Sequence, residues 1–428
     1  MTASMRAAGP VLVAAALLAF AAPSSARADA ATDWNKNATD VLTVNPAGQA
    51  VAAFSILHLA MVHGAVYDAV NGIDRGHRPY LILPSAQPWD SSDAAAAAAA
   101  HRVLVSLLPA QQTALDTQYA TYIAALSGSA AQIAGGVAAG EAAAQAMIAA
   151  RTNDGRFGPF RFTPSTGIGQ WRPELPAFVS DPNAWLKDVK PFMVRSASQF
   201  RSDEPDPLTS RRYARDFDEV KSVGAAVGST RTADQTSAAI YWYPNPPAIW
   251  SRIYRTISTQ RSLSTVDAAR LYAEFYLTAS DALITVWESK AFYSFWRPIT
   301  AIHMADQDGN RRTDPDPGWM PFRDTPPYPE HPSGHSSFTA SAVTVLQQFF
   351  HSDRIAWTDT NAGETRSFTR ASDALEELVS ARVWEGIHFR HADEQGALIG
   401  KRVAHFQRSH FFQSVRGRGD DHQGEDDD

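Results

Sequence analysis

The sequence predicts an all-α protein built from one or more helical bundles. Residues 50–71 carry apolar side chains at three- and four-residue spacings, which is the period of a helix with one buried face. Residues 93–108, 111–126 and 130–151 continue this pattern with many alanines, whose small side chains let helix axes approach closely. No strand-like alternation with hairpin turns occurs in these segments. We therefore expect a bundle of closely packed helices.

Capping signals and composition mark the predicted elements. Asp93 is placed to cap the alanine-rich helix, and Ser264 with Asp267 resembles a capping box that opens a long helix toward Trp296. Residues 152–207 are rich in Gly, Pro, Trp and Phe and show no period. We predict that this segment is an irregular connection over the surface, which would join two bundles if the chain forms two.

The two ends of the 428-residue chain are expected to lie outside the helical body at 29–415. Residues 1–28 have the charge, apolar run and small-residue cleavage site of a signal peptide, which predicts a secreted or periplasmic protein. An uncleaved N-terminal anchor is the alternative. Residues 416–428 carry two Arg against six acids and no apolar side chain, which predicts a disordered acidic tail.

Composition excludes several function classes. The net charge of -7 and the pI of about 6.0 argue against a nucleic-acid partner. The absence of cysteine excludes disulfides, thiolate metal sites, iron–sulfur clusters and cysteine nucleophiles. Any catalysis must therefore use His, Asp, Glu, Lys, Arg or Ser, and a cationic site must be a local concentration within a mildly acidic chain.

The first candidate site stretch contains two cations seven residues apart. Lys290 and Arg297 would lie on nearly the same helical face and could converge on one anion. Pro298 is expected to end that helix. Two solvated surface cations are the alternative, but the aromatic side chains around them favour burial, and buried cations need partners.

The second stretch places Ser333, Gly334 and His335 directly before an apolar helix. The first turn of a helix presents free backbone N–H groups and the positive end of the helix dipole. Ser333 adds a hydroxyl donor, Gly334 permits close backbone approach, and His335 can transfer a proton. The pattern indicates an anion site with an acid/base group, although an N-cap serine beside an incidental histidine is equally possible.

The third stretch contains Arg382 and, six residues later, His388. The two would lie about 120° apart on a continuous helix. Gly386 offers a break between them, so His388 can sit in a turn and point back toward Arg382. A core histidine bonded to the backbone is the alternative.

Together the motifs K-x6-R-P, P-S-G-H and R-x5-H resemble those shared by vanadium-dependent haloperoxidases and type 2 phosphatidic acid phosphatases. The flanks W-x2-K-x-F-x2-F-W-R-P and G-I-H-F-R are similar to the haloperoxidase branch, especially its secreted bacterial members. The resemblance covers most of residues 34–412. In one departure from the family, Ala381 stands where a serine usually precedes the arginine of the third motif.

The resemblance implies a vanadate cofactor at the end of the C-terminal bundle, with a role for each motif residue. The implied cofactor-binding residues are Lys290, Arg297, Ser333, Gly334 through its backbone N–H, Arg382 and His388. His388 would bind the vanadium through a ring nitrogen, His335 would be the acid/base, and Lys290 would polarise bound peroxide. Trp287 and Tyr328 occupy the places beside the halide. Chloride-oxidising members have Phe at the second place, so Tyr328 favours bromide and iodide.

The resemblance therefore implies oxidation of halide by hydrogen peroxide to hypohalous acid, followed by halogenation of a small organic substrate. Phosphatase chemistry in the same pocket is the alternative, with His388 attacking phosphorus and His335 protonating the leaving oxygen. A secreted helical binding protein without catalysis is a third possibility. The oligomeric state and the residue that orients His388 are not indicated by the sequence.

Overall fold

The computed structural model describes residues 29–43, 52–174 and 178–415, and confirms the prediction of an all-α fold. The predicted signal peptide and acidic tail lie outside the described residues. The N-terminal helices are α1 (Ala30–Thr43), α2 (Ala52–Asp74), α3 (Ser92–Leu107), α4 (Gln112–Ala124) and α5 (Ala130–Ala150). The central helices are α6 (Arg211–Val223), α7 (Ala233–Trp242) and α8 (Pro246–Gln260). The C-terminal helices are α9 (Thr265–Tyr293), α10 (Pro298–His303), α11 (Gly334–Phe350), α12 (Ala371–Trp384) and α13 (Arg390–His410).

The alanine-rich helices pack with very close contacts. A Cβ on Gly140 of α5 would lie 2.5 Å from the backbone oxygen of Ala95 in α3, so only glycine allows this approach. The N-cap of α3 is Ser91, whose side chain accepts from the N–H of Ala94. The prediction that Asp93 caps this helix is wrong, because Ser91 lies three residues before the N–H it bonds, and Asp93 falls in the first turn. By length and composition α5 is apolar enough to cross a membrane, yet it packs here against α2 and α3.

The segment between α5 and α6 contains a single short helix, a 3-10 turn at Ala184–Asp188, within its described residues. The backbone of this segment is hydrogen-bonded to the buried Asp281 of α9. The carboxylate of Asp281 accepts from the backbone N–H groups of Phe192, Met193 and Val194 at 2.6–2.8 Å. Trp185 of the same segment is 3% exposed. The segment is therefore irregular in backbone but partly built into the interior.

The 29-residue helix α9 has 21 buried residues, all of them between Ala268 and Lys290. Ser264 is its N-cap, accepting from the N–H of Asp267, but the Asp267 carboxylate bonds the serine hydroxyl instead of completing a capping box. The helix ends at Tyr293, where Ser294 adopts a left-handed conformation with φ of 47°. Pro298 does not end α9 as predicted; it begins α10, since the fixed φ of proline suits the first helical position.

A small β-hairpin, missed by the sequence analysis, follows α11. Strands β1 (Trp357–Asn361) and β2 (Glu364–Phe368) pair antiparallel, with Trp357 opposite Phe368. Ala362 and Gly363 form the turn with φ of 51° and 85°. Both central residues of such a two-residue turn need positive φ, which is common for glycine but uncommon for alanine. Trp357 and Phe368 point into the core and join it to the hairpin.

The ends of five segments meet at one end of the C-terminal helices. These segments are the last turn of α9, the start of α10, the start of α11, the end of α12 and the loop from α12 to α13. The approach of α13 to α11 depends on Gly396, where a Cβ would lie 2.2 Å from the backbone oxygen of Ser333. All the motif residues found in the sequence lie at this junction.

Candidate active site

Lys290 lies in the last turn of α9 and has no exposed surface. Its Nζ donates to the backbone oxygens of Pro329 at 2.7 Å and Glu330 at 2.9 Å. The predicted sharing of one helical face by Lys290 and Arg297 is wrong, because α9 ends at Tyr293. The two cations nevertheless converge, since the turn after α9 brings Arg297 back to the same junction.

Arg297 precedes α10 at its N-cap position and is completely buried. Its Nε donates to the backbone oxygen of Tyr328 at 2.9 Å, and its Nη1 donates to the oxygen of Ile387 at 2.8 Å. Nη1 also lies 3.2 Å from Nε2 of His388. Among the described residues, the other terminal nitrogen, Nη2, has no hydrogen-bond partner.

Arg382 in the last turn of α12 is buried in the same way. Its Nη1 pairs with the carboxylate of Glu385 one turn later. Its Nε and Nη2 find no partner within the described part of the chain. Together with Arg297, it leaves three buried guanidinium nitrogens without an acceptor. Buried donors are nearly always satisfied, and a bound oxyanion would supply acceptors for all three.

The start of α11 supplies further donors. Ser333 is the N-cap, and its hydroxyl lies 3.4 Å from the N–H of Ser336. The N–H groups of the first helical turn have no acceptor within the helix. A Cβ on Gly334 would lie 3.2 Å from the indole of Trp287, so glycine lets the backbone and this ring approach closely.

His388 follows Gly386, whose φ of 82° turns the chain out of α12. Nδ1 of His388 lies 2.8 Å from Oε1 of Glu330, and the same oxygen accepts from the N–H of Phe389 at 3.0 Å. We assign the proton to Nδ1 because Arg297 donates to the other ring nitrogen. Nε2 therefore carries a lone pair into the junction, and Glu330 is the orienting residue that the sequence analysis could not identify.

His335 lies in the first turn of α11, partly exposed to a cavity. Its Nε2 lies 3.3 Å from the backbone oxygen of Tyr243 and donates to it, which leaves Nδ1 as a proton acceptor. Desolvation, reinforced by the nearby Arg382 guanidinium, lowers the pKa of His335 well below its ordinary value. The ring is neutral near pH 7 and can take up a proton.

The junction also contains three buried carboxyl groups that the sequence analysis did not single out. Burial raises the pKa of Glu330 and of Glu385 to about 8 and that of Asp393 to about 7. Burial also lowers the pKa of Lys290 well below its usual range, and the neighbouring Arg297 lowers it further. The pocket is thus a mixed cluster of cations and acids, in which burial favours the neutral forms of the three acids and of Lys290.

A cavity of about 260 Å³ lies beside this cluster. Gly334 and His335 form one side of it, and Trp287 and Tyr328 lie on its wall with ring centroids 5.2 Å apart. The indole N–H of Trp287 donates to Oδ2 of Asp181 at 2.9 Å. The two aromatic residues predicted to flank the halide therefore stand side by side, next to the helix that carries His335.

Residues 270–417 match the family model of the VCPO second helical-bundle domain, a range that includes every predicted site residue. The matched region makes up about a third of the chain, and the chain as a whole is similar to vanadium haloperoxidases. The vanadium chloroperoxidase of Curvularia inaequalis is 24% identical over 208 residues, covering 40% of this chain and 33% of that protein. The chain is thus matched over about a third of this relative's length.

Solved structures of vanadium haloperoxidases share the fold. A bacterial vanadium-dependent iodoperoxidase superposes with a TM-score of 0.76 at 21% identity, covering 91% of this chain and 97% of that chain. A holo-type bacterial vanadium-dependent chloroperoxidase superposes with a TM-score of 0.66 at 18% identity, covering 84% and 91%. The family resemblance read from the motifs is confirmed.

The site of this vanadium haloperoxidase homologue holds four acids that motif reading missed. Glu330 stands three residues before Ser333, Glu385 lies inside R-x5-H, and Asp393 lies five residues after His388. The sequence signal that could have identified these three acids is their position beside a motif in an otherwise apolar stretch. Asp181 carried no comparable signal, since it lies more than a hundred residues before Trp287 and meets it only in the fold.

Proposed function

We propose that this protein is a vanadate-dependent haloperoxidase that uses hydrogen peroxide to oxidise halide to hypohalous acid. The observation that carries the proposal is the set of unpaired buried donors, Nη2 of Arg297 with Nε and Nη2 of Arg382, around the lone pair of His388. The oxygens of a tetrahedral oxyanion point in four directions, so one such anion could accept hydrogen bonds from all of these donors.

The residues present fit vanadate. Arg297 and Arg382 would offset its charge, and the anion would in turn favour the charged form of Lys290. Ser333 and the N–H of Gly334 would donate to its oxygens, and Nε2 of His388 would bind the metal. Bound vanadate would supply a Lewis acid that activates hydrogen peroxide toward halide without a redox-active protein group.

The chain's own contribution is orientation and charge. Glu330 holds the His388 ring in the tautomer that leaves Nε2 unprotonated, with a lone pair that Arg297 Nη1 contacts at 3.2 Å. The backbone oxygens of Pro329 and Glu330 hold the side-chain nitrogen of Lys290 in place within the buried cluster. His335 is neutral, and its Nδ1 accepts a proton from peroxide as peroxide binds.

Trp287 and Tyr328 support a preference for bromide and iodide over chloride. Asp181 already occupies the indole N–H of Trp287, so this N–H offers a halide no hydrogen bond. Large polarisable anions lose less hydration on entering such an apolar place than chloride does. The similar structures include both an iodoperoxidase and a chloroperoxidase, so the halide assignment depends on these residues.

We place the reaction outside the cytoplasm, on the signal-peptide pattern of residues 1–28. Fractionation of cells that express the full chain tests this placement. A cleaved protein in the periplasm or medium is expected, and full-length protein in the cytosol would contradict it.

The function is tested with protein stripped of vanadate, before and after orthovanadate is added. We expect peroxide-dependent bromination of a 1,3-diketone only with vanadate, and no activity in His388→Ala. His405→Ala removes an exposed histidine of α13 and serves as the matched control, with activity unchanged. Hydrolysis of p-nitrophenyl phosphate that vanadate inhibits, without bromination, would show that the same donors serve a phosphatase.

A further inference from the structure

We propose that the cavity beside the junction binds a neutral, largely apolar organic molecule with one hydroxyl donor, of the phenol class, and that Asp181 accepts its hydroxyl. The assignment of the cavity rests on its walls and dimensions. The role of the bound molecule as halogen acceptor rests on the proposed haloperoxidase function.

The walls of the cavity are mainly apolar. Its volume of about 260 Å³ accommodates one or two fused rings. Its apolar wall comprises Ile56, Pro246, Pro247, Leu283 and Phe338, together with the rings of Trp287 and Tyr328. A cleft with an apolar wall and a few fixed polar groups is the usual form of a small-molecule site.

Asp181 is the one carboxylate on this wall within the described part of the chain. Its Oδ1 accepts from the N–H of Asn183 at 2.8 Å, and its Oδ2 accepts from the indole of Trp287 at 2.9 Å. Each carboxylate oxygen can accept a second hydrogen bond. These two contacts also fix the side chain, which is 3% exposed, so the remaining acceptor positions are already oriented before a ligand enters.

The chemistry of the wall selects the class of ligand. A hydroxyl group donates to a carboxylate and stays neutral, whereas a carboxylate ligand would face Asp181 with like charge. A purely apolar ring would fill the cavity but leave the acceptor positions of Asp181 without a donor, which costs free energy in an apolar surrounding. A phenol satisfies both the apolar wall and the carboxylate.

The position of the cavity connects this ligand to the reaction. Gly334 and His335 belong both to the cavity wall and to the motif that holds the oxyanion. Hypohalous acid formed there meets the bound ring before it reaches bulk water. The ring electrons form the carbon–halogen bond as the oxygen–halogen bond breaks, and the displaced ring proton leaves with hydroxide as water.

Binding is tested by calorimetry on the full protein without vanadate, peroxide or halide. The probes are 2-naphthol and 2-methoxynaphthalene, which share a ring system and differ in the hydroxyl donor. We expect 2-naphthol to bind about tenfold more tightly, the effect of one hydrogen bond to a charged acceptor. Asp181→Asn should reduce this ratio, since an amide oxygen is the weaker acceptor.

A second variant tests the location. Leu283→Trp fills the cavity and should abolish binding of both probes, whereas Leu81→Trp adds the same side chain at a partly exposed position and should leave it intact. Equal affinities of wild-type protein for the two probes would overturn the role of Asp181, even if Leu283→Trp fails to fold. Probe binding in a protein that lacks vanadate-dependent iodide oxidation would instead contradict the proposed function and leave the cavity assignment standing.

Discussion

Replacement of Glu330 by Gln isolates the residue that orients His388. The carboxylate oxygen Oε1 accepts from His388 Nδ1 at 2.8 Å and from the N–H of Phe389 at 3.0 Å. Glutamine has the same shape and keeps an acceptor oxygen, so the backbone contact can survive. What is lost, above the pKa of about 8 at which Glu330 ionises, is the charge that strengthens the bond to the imidazole and increases the electron density on Nε2.

The magnitude follows from the two kinds of hydrogen bond. A bond to a charged group contributes about 1.5–3 kcal/mol and a neutral bond about 0.5–1.5 kcal/mol, so Glu330→Gln removes roughly 1–1.5 kcal/mol of support for His388. If His388 binds vanadium, vanadate affinity should fall about tenfold. Calorimetric titration of stripped protein with orthovanadate, at a pH above the pKa of about 8 so that Glu330 is ionised, measures this change directly.

The pH dependence of the free energy of unfolding provides a second, independent test of the same substitution. Burial raises the pKa of Glu330 from 4.5 to about 8. Between those values the folded protein binds a proton that the unfolded chain has lost, so its free energy of unfolding declines as pH rises. Glu330→Gln cannot titrate and should lose less stability over the same range, as urea unfolding at several pH values will show.

The matched control is Glu288→Gln, which lies two residues before Lys290 and pairs with Arg201 outside the junction. Vanadate affinity should be unchanged in this variant. Wild-type affinity in Glu330→Gln, with the fold intact, would refute the argument that Glu330 orients His388.

Three further substitutions test separate parts of the account. Arg382→Lys keeps the charge but removes the planar donors, and should weaken vanadate binding by about 10–100-fold in the same titration; unchanged affinity would count against the role of the unpaired nitrogens. Gly334→Ala puts a Cβ 3.2 Å from Trp287 and should destabilise the protein by about 1–3 kcal/mol in urea unfolding. Asp281→Ala leaves three backbone N–H groups of the irregular segment without an acceptor and should cost about 3 kcal/mol or more; a loss below about 1 kcal/mol would show that the segment is held by other contacts.

The sequence was sufficient to predict the helices with strong periodicity. The helix predicted at residues 130–151 runs over Ala130–Ala150, because alanine-rich periodicity and a Ser129 cap agree there. The end of α9 was misplaced by several residues, since Ser294 in a left-handed conformation stops the helix before Pro298 is reached. Local signals compete at such a boundary, and tertiary contacts decide between them.

The hairpin escaped prediction for a related reason. Its turn places Ala362 at positive φ. Hairpin turns of this kind are usually recognised in a sequence from Asn-Gly or Asp-Gly, and this turn is Ala-Gly. Its strands are only five residues long, so the local pattern is weak. Burial of Trp357 against the core stabilises the hairpin instead.

At the site, motif spacing identified the donors but not the acids. Lys290, Arg297, Ser333, Arg382 and His388 could be singled out because their order and spacing match a family. Acids such as Glu385 matter because they are buried beside these cations, and burial depends on the whole fold. Asp181 meets Trp287 only through the irregular segment, whose path had no periodic signal in the sequence.

The central claim is that the unpaired donors at the junction hold one catalytic oxyanion. It is tested most directly by titrating stripped protein with orthovanadate while bromide oxidation by hydrogen peroxide is followed. The account predicts activity that is absent at the start, rises in proportion to added vanadate and saturates at one vanadate per chain. Bromide oxidation in the absence of vanadate would contradict the account. A folded protein that oxidises no bromide at any vanadate concentration would contradict it as well.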